Sequence, residues 1–317
     1  MFLESPKLFN EFIINSSVIN KLRNYTQDNL MNMLFYGPAG SGKRTLVLAL
    51  LYHIYKLTDL QTYIKNYTVK INNNDVKIVC IQSMYHYEIN LYEYGLYDRE
   101  VLTSFVKNII STKNILNNGF KIIVLNNFHK ISKTCQLALR ALIEKHISTA
   151  RFILLTNSVT KIDSALKSRF ICNRVPFPDD NSIIKYLNKV GVHENIPYIL
   201  KTIDKNLYNL EICINYKKYI NPIDIFIKKI DDIINSSDIL FIEELRKIIH
   251  KLHLLNFDPY VTINKYISYC VKLKKYSDKN LGRICSKAAE LDSSEPYNKY
   301  FFSLELFFIF IKSLNYI

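Results

Sequence analysis

The chain predicts an α/β fold, a parallel sheet covered by helices, followed by an all-helical remainder. Three observations carry this. Strand-like and helix-like pieces alternate over the first 175 residues. A glycine loop fitting GxxxxGK stands between the first core strand and its helix. The stretch VPFPDD, Val175 to Asp180, then breaks the alternation with two prolines and two acids, and almost everything after it reads helical.

Taken in order, Met33 to Tyr36 is short and apolar and reads as a strand; after the glycine loop, a helical run goes from Lys43 to about Tyr55. Val76 to Gln82 and Tyr87 to Ile89 read as short strands, Asp98 to Ile110 as a helix. Lys121 to Leu125 is a strand, Lys133 to His146 a helix and Arg151 to Thr156 a strand. Asn72-Asn73-Asn74 reads as loop filler. A small helical bundle is expected from Asn181 to about Tyr219, ahead of Asn221-Pro222. A longer helical segment then runs to Ile317, with Ser236-Ser237 and Asp258-Pro259 as turns. The expected domains are residues 1–175, 176–220 and 221–317.

Composition narrows the class. Of 317 residues, 49% are hydrophobic, ample for packed cores. A formal net charge of +14 suits a polyanionic partner, although lysine is equally a solubilising residue in a chain of this composition. Cys80, Cys135, Cys172, Cys213, Cys270 and Cys285 form no CxxC and signal neither a zinc site nor a disulfide frame; they are expected as buried small hydrophobes in a reducing compartment. MFLESPKLFNEF lacks the pattern of a signal peptide, and the most apolar stretch, Phe301 to Ile311, is too short to span a bilayer and carries Glu305. A soluble intracellular protein without a membrane partner is expected.

The motif Gly37-Pro38-Ala39-Gly40-Ser41-Gly42-Lys43 is a phosphate-binding loop. Its glycines let backbone N–H groups curl around phosphate oxygens, the helix N-terminus adds positive potential, and Lys43 reaches the terminal phosphates. The next residue should offer a hydroxyl to Mg²⁺. Here it is Arg44, with Thr45 one place late. A guanidinium cannot ligate a cation, but it can neutralise phosphate. The Lys121–Leu125 strand should end in an Asp for the metal and a Glu to orient water; it ends in Asn126 and Asn127, neither of which can act as a base. No metal ligand set is assigned, and Mg²⁺ is left open. His129 either titrates near neutrality or caps the loop.

Asn157 follows the Arg151–Thr156 strand, placed to sense a γ-phosphate; the other reading is a turn residue. Arg169, in Ser168-Arg169-Phe170, can reach into a neighbouring subunit's site. On the helix SKTCQLALRALIEKH, Cys135, Leu139 and Leu142 form an apolar face, and Lys133, Gln136 and Arg140 a polar stripe open to a phosphate backbone or another subunit. The alternative is a solvated face with an Arg140–Glu144 pair.

LFYGPAGSGKRT, KIIVLNNFHKISKTCQLALRALIEKHISTARFILLTNS and SALKSRF, in that order, resemble the clamp-loader branch of the AAA+ ATPases, within it the small subunits of replication factor C. YHYEIN and YGLYDREVL, with the GKRT variant, resemble the ATPase-deficient small subunit. The resemblance covers about residues 8 to 175 and weakens beyond. It implies a RecA-like AAA+ domain, a helical lid and an all-α collar through which five subunits form a hetero-pentameric ring. It implies ATP or ADP held by Gly37, Pro38, Gly40, Ser41, Gly42, Lys43, Arg44 and Thr45, with Asn157 as first sensor. It implies Arg169 as arginine finger, Lys133, Gln136 and Arg140 toward DNA or the next subunit, and a PCNA-type clamp loaded on primer–template DNA, in the nucleus or a viral replication factory. The arginine expected as second sensor falls at Tyr208. An autonomous AAA+ ATPase that remodels nucleic acid and a scaffold without nucleotide stand as the alternatives.

Overall fold

The computed structural model describes residues 6–71, 74–111, 120–193, 196–203, 205–216, 222–235, 241–254, 259–293 and 299–314. They form two compact units, Met1–Lys218 and Tyr219–Ile317.

In the first unit, α1 (Ser16–Leu22) precedes β1 (Met33–Tyr36) and α2 (Lys43–Tyr55). Then come β2 (Tyr63–Ile71), β3 (Asn74–Gln82) and β4 (His86–Ile89). A helical stretch follows, made of a 3₁₀ segment (Leu91–Tyr97), α3 (Asp98–Val101), a π turn (Leu102–Val106) and α4 (Lys107–Ile110). β5 (Lys121–Leu125), a 3₁₀ turn (Phe128–Lys130), α5 (Lys133–Lys145), β6 (Ala150–Thr156), α6 (Ser164–Lys167) and β7 (Ile171–Arg174) complete the α/β part. Three helices end the unit: α7 (Asp180–Val190), α8 (Ile196–Ile203) and α9 (Leu207–Tyr216).

The seven strands make one sheet in the order β2-β3-β4-β5-β6-β1-β7. From β4 to β7 every pairing is parallel. Successive side chains point to opposite faces, so a strand covered on both faces must be apolar throughout. β5 shows it: Ile123 and Leu125 join the core beneath α5, whereas Ile122 and Val124 join the core beneath α1 and α2. β1 divides the same way, Leu34 to one core and Met33 and Phe35 to the other.

A wholly parallel sheet is corrected at one edge. β2 and β3 pair antiparallel, as do β3 and β4. β2 was not expected as a strand, because most of its residues are exposed and it shows no buried alternation to read. Of the three asparagines, Asn74 opens β3 and pairs with Ile71; Asn72 and Asn73 lie outside the described residues. The expected cysteine burial holds for Cys80, Cys135, Cys213 and Cys270, whereas Cys172 and Cys285 are exposed.

The second unit consists of α10 (Pro222–Asn235), α11 (Phe241–Leu254), α12 (Pro259–Lys272), α13 (Asp278–Ser293) and α14 (Lys299–Leu314). Ser236, Ser237 and Asp258, expected as turns, lie outside the described residues, and Pro259 opens α12, where a missing N–H costs nothing. Tyr266 is fully buried, edge-on to Phe308 with centroids 5.2 Å apart. Its hydroxyl donates to Asp231 Oδ1 at 3.0 Å, and Lys275 Nζ donates to the same oxygen. Asp231 is 7% exposed, so its charge depends on these donors. Among the described residues no helix is long and apolar enough to cross a membrane.

Removing that carboxylate strands the buried Tyr266 hydroxyl and takes the ion-pair partner from the partly buried Lys275. Asp231→Ala is expected to cost roughly 2–4 kcal/mol of unfolding free energy, read from urea denaturation. A loss under about 0.5 kcal/mol, the usual effect of a surface change, contradicts this account of the core.

Candidate functional site

The glycine loop joins β1 to α2 and is shaped by close backbone approach. Gly40 (φ 74°) and Gly42 (φ 87°) adopt the left-handed region that glycine enters without strain. A Cβ at Gly37 would lie 1.9 Å from the Val175 carbonyl oxygen, and one at Gly40 would lie 1.8 Å from Asn206 Oδ1. Two further contacts hold the loop: Asn15 Nδ2 donates to Ser41 O at 3.0 Å, and the Leu207 N–H, opening α9, donates to Gly40 O at 2.9 Å. Ser41 is buried, and its Oγ has no hydrogen-bond partner among the described residues.

Lys43 folds over the loop. Its Nζ donates to the carbonyls of Gly37 and Pro38 at 2.8 and 2.7 Å. Burial holds its pKa down to about 8.

Arg44 turns toward β4. Its Nε and one terminal nitrogen donate to Glu88 Oε1 and Oε2 at 2.6 and 2.9 Å, a bidentate pair. The Arg44 side chain is 50% exposed and that of Glu88 only 3%. Asn126, at the end of β5, donates Nδ2 to Glu88 Oε1 at 2.6 Å. His86, two residues earlier on the strand, is held near a pKa of about 4 chiefly by burial and stays neutral, its Nδ1 2.7 Å from Ser83 Oγ. Sequence reasoning passed over Glu88. It is the one acid in the strand His86–Ile89, which pairs beside the strand whose end lacks acids, a relation that spacing alone does not reveal.

Asn127 has φ 51° and ψ 37°. Asparagine tolerates this left-handed conformation better than most side chains, so the residue serves the turn out of β5. His129 Nδ1 lies 3.3 Å from the backbone N–H of Asn157, which joins the turn to the tip of β6. Asn157 itself is exposed at that tip.

Arg169 lies just past α6. It pairs with Glu144 of α5 and donates to the Ala165 carbonyl. Glu144 is therefore engaged by Arg169, not by Arg140 as an i, i+4 helix pair. On α5, Cys135, Leu139 and Leu142 are buried as the spacing predicts. Gln136 leaves the expected polar stripe: it is 3% exposed, its Oε1 accepts from the Asp163 N–H at 2.9 Å and its Nε2 donates to Lys161 O at 3.1 Å. Its amide pins the loop ahead of α6 and is not available to a partner, whereas Lys133 is exposed and Arg140 half-buried. Tyr208, at the position expected for a second sensor, is 58% exposed.

The fit of Mg²⁺ can be tested on these donors. Mg²⁺ demands near-octahedral oxygen ligands at about 2.0–2.1 Å. The carboxylate near the loop is already surrounded by a guanidinium and an amide N–H, and the residue after Lys43 brings positive charge in place of a hydroxyl. The donor set does not fit the metal.

Residues 33–175 match the ATPase family associated with various cellular activities (AAA). The chain is similar to replication factor C subunit 3 of Arabidopsis thaliana, 31% identical over 199 residues, covering 60% of this chain and 56% of that protein. It is similar to the probable replication factor C subunit 3 of Dictyostelium discoideum, 37% identical over 185 residues, 57% of this chain and 53% of that one. The human replication factor C subunit 3 is 32% identical over 181 residues, 56% of this chain and 51% of its own length. The chain thus spans about half the length of the curated relatives it matches. The likeness to replication factor C expected from the motifs is borne out in these relatives.

The Lys43 environment makes anion binding pH-dependent. Burial disfavours the ammonium in the free loop, so its unfavourable contribution to stability is present below about pH 8 and fades as pH rises toward the ordinary lysine value of 10.5. A phosphate beside Nζ restores the charge, and above about pH 8 binding must take up a proton. Affinity for a fluorescent ATP analogue is expected to be flat between about pH 7 and 8 and to fall by up to about tenfold per unit above that. In Lys43→Ala the slope disappears; a wild-type profile flat to pH 10 refutes the assignment.

Proposed function

We propose, from the match of residues 33–175 to the AAA family of ATPases, that the chain is a small subunit of a sliding-clamp loader that binds nucleotide, does not hydrolyse it, and supplies Arg169 to the site of an adjacent subunit. The observation that carries the reading is an intact phosphate loop beside a strand end without acids. Gly37 to Lys43 keep the backbone cradle and the lysine. Asn126 and Asn127 offer no base to activate water, and Arg44 replaces the hydroxyl after the lysine. Such a site holds a phosphate and leaves its cleavage to other protomers.

Arg169 supplies the chain's share of the chemistry in this reading. Its bond to Glu144 joins side chains that are 34% and 53% exposed. Exposed pairs of this kind are worth about 0–1 kcal/mol. A phosphoryl group developing charge in a neighbouring site outcompetes that partner easily. The helices α7 to α9 act as a lid, a reading supported by the Leu207 N–H that meets Gly40 O. Residues 221–317 act as the collar. The partners are the other subunits of a hetero-pentameric ring, a PCNA-type clamp and primer–template DNA, which the +14 charge suits. The site of action is the nucleus, or a replication factory for a viral protein.

With the chain reconstituted among its partner subunits, Arg169→Ala is expected to reduce hydrolysis at one neighbouring site on the order of 10³-fold, with assembly unchanged by gel filtration. Lys43→Ala should change total hydrolysis little. Unaltered turnover in Arg169→Ala removes the trans role, and brisk phosphate release by the purified chain with Mg²⁺ and ATP removes the non-hydrolysing role.

A further inference from the structure

Three features around Glu88 bear on which cation balances phosphate at this loop. The carboxylate is 3% exposed and cannot rely on water to solvate its charge. Arg44 meets both of its oxygens in a fork that fixes the guanidinium plane. Asn126 meets Oε1 at 2.6 Å with an amide donor. An aspartate at Asn126 would set carboxylate against carboxylate at that separation, a repulsion that the asparagine amide replaces with a donated hydrogen bond. The asparagine is thus matched to an arginine-occupied site.

Arg44 does not spend its whole capacity on Glu88. A guanidinium has five N–H donors, and its side chain is half exposed at the first turn of α2, next to Lys43. Glu88 fixes one edge; the other donors are left for an incoming anion.

We propose that this loop takes its nucleotide as the metal-free polyphosphate anion, with the Arg44 guanidinium, positioned by Glu88, as the resident counter-cation in place of Mg²⁺. The proposal rests on the nucleotide-binding reading above and adds the ionic form of the ligand. Glu88 is a positioning residue that acts through Arg44. Because Mg²⁺ converts free nucleotide into its chelate, the metal competes with this site for the ligand.

The test is equilibrium titration of the full chain with a fluorescent ADP analogue, once in excess EDTA and once in excess Mg²⁺. Wild type is expected to bind as tightly or more tightly in EDTA. Arg44→Thr places a hydroxyl after Lys43 and frees the Glu88 carboxylate, so its binding should become at least about tenfold weaker in EDTA than in Mg²⁺, the value of one charge-assisted hydrogen bond. Arg44→Thr combined with Glu88→Gln should lose that metal preference. Tight wild-type binding only with Mg²⁺ overturns the proposal while sparing the nucleotide-binding reading. Absence of wild-type binding in both buffers overturns that reading and the proposal with it. The wild-type comparison decides even if a variant fails to fold.

Discussion

The structure depends on a steric constraint at the phosphate loop. Gly37 has the Val175 carbonyl where a side chain would begin, and Gly40 has Asn206 there. The loop is therefore gripped between the end of β7 and the start of α9, two segments far apart in sequence. At Gly37 the obstacle is backbone and cannot turn aside, whereas at Gly40 it is the Asn206 side-chain amide. The N–H of the same Val175 donates to Tyr36 O at 2.8 Å, which ties β7's exit to β1. Sheet, loop and the three helices that follow it form one mechanical unit through a few glycines and backbone bonds.

The polar chemistry beside the loop is equally coherent. Arg44, Glu88 and Asn126 come from α2, β4 and the end of β5, and each makes sense only with the other two. Glu88 without Arg44 is a buried charge with one amide donor. Aspartate in place of Asn126 would repel Glu88. Arg44 without Glu88 is a freely rotating surface side chain. Read singly, Arg44 and Asn126 are departures from a metal-binding pattern. Read together, they are a substituted arrangement in which positive charge is built into the chain.

Much of this was legible in the sequence because the signals were local. β1, β5 and β6 are short apolar runs covered on both faces, and α2 and α5 start at a glycine loop and at a Ser132 cap whose Oγ accepts the Cys135 N–H. What stayed hidden depended on pairing across the fold. β2 exposes most of its side chains and is held by hydrogen bonds to β3, which no periodicity records. Gln136 looks like surface by helical spacing, yet the loop at residues 161–163 folds over it. Glu88 becomes meaningful only when a residue 44 positions earlier reaches it. The glycine loop was readable for the opposite reason: its chemistry lies in backbone geometry, and glycine announces that directly.

The two arginines occupy opposite energetic situations, and the contrast explains a division of roles. Arg44 faces a carboxylate that solvent hardly reaches, so letting go strands a buried charge, a cost of several kcal/mol by analogy with other buried pairs. Arg169 faces one that is 53% exposed, so letting go returns Glu144 to water at almost no cost. A fixed cation suits a site that retains its ligand and performs no cycle of charge. A releasable cation suits a group that must answer to the contents of another site. In the proposed reading, this chain keeps its own site static and sends its adaptable charge outward. The difference lies in the burial of the two glutamates, since the arginines themselves are chemically identical.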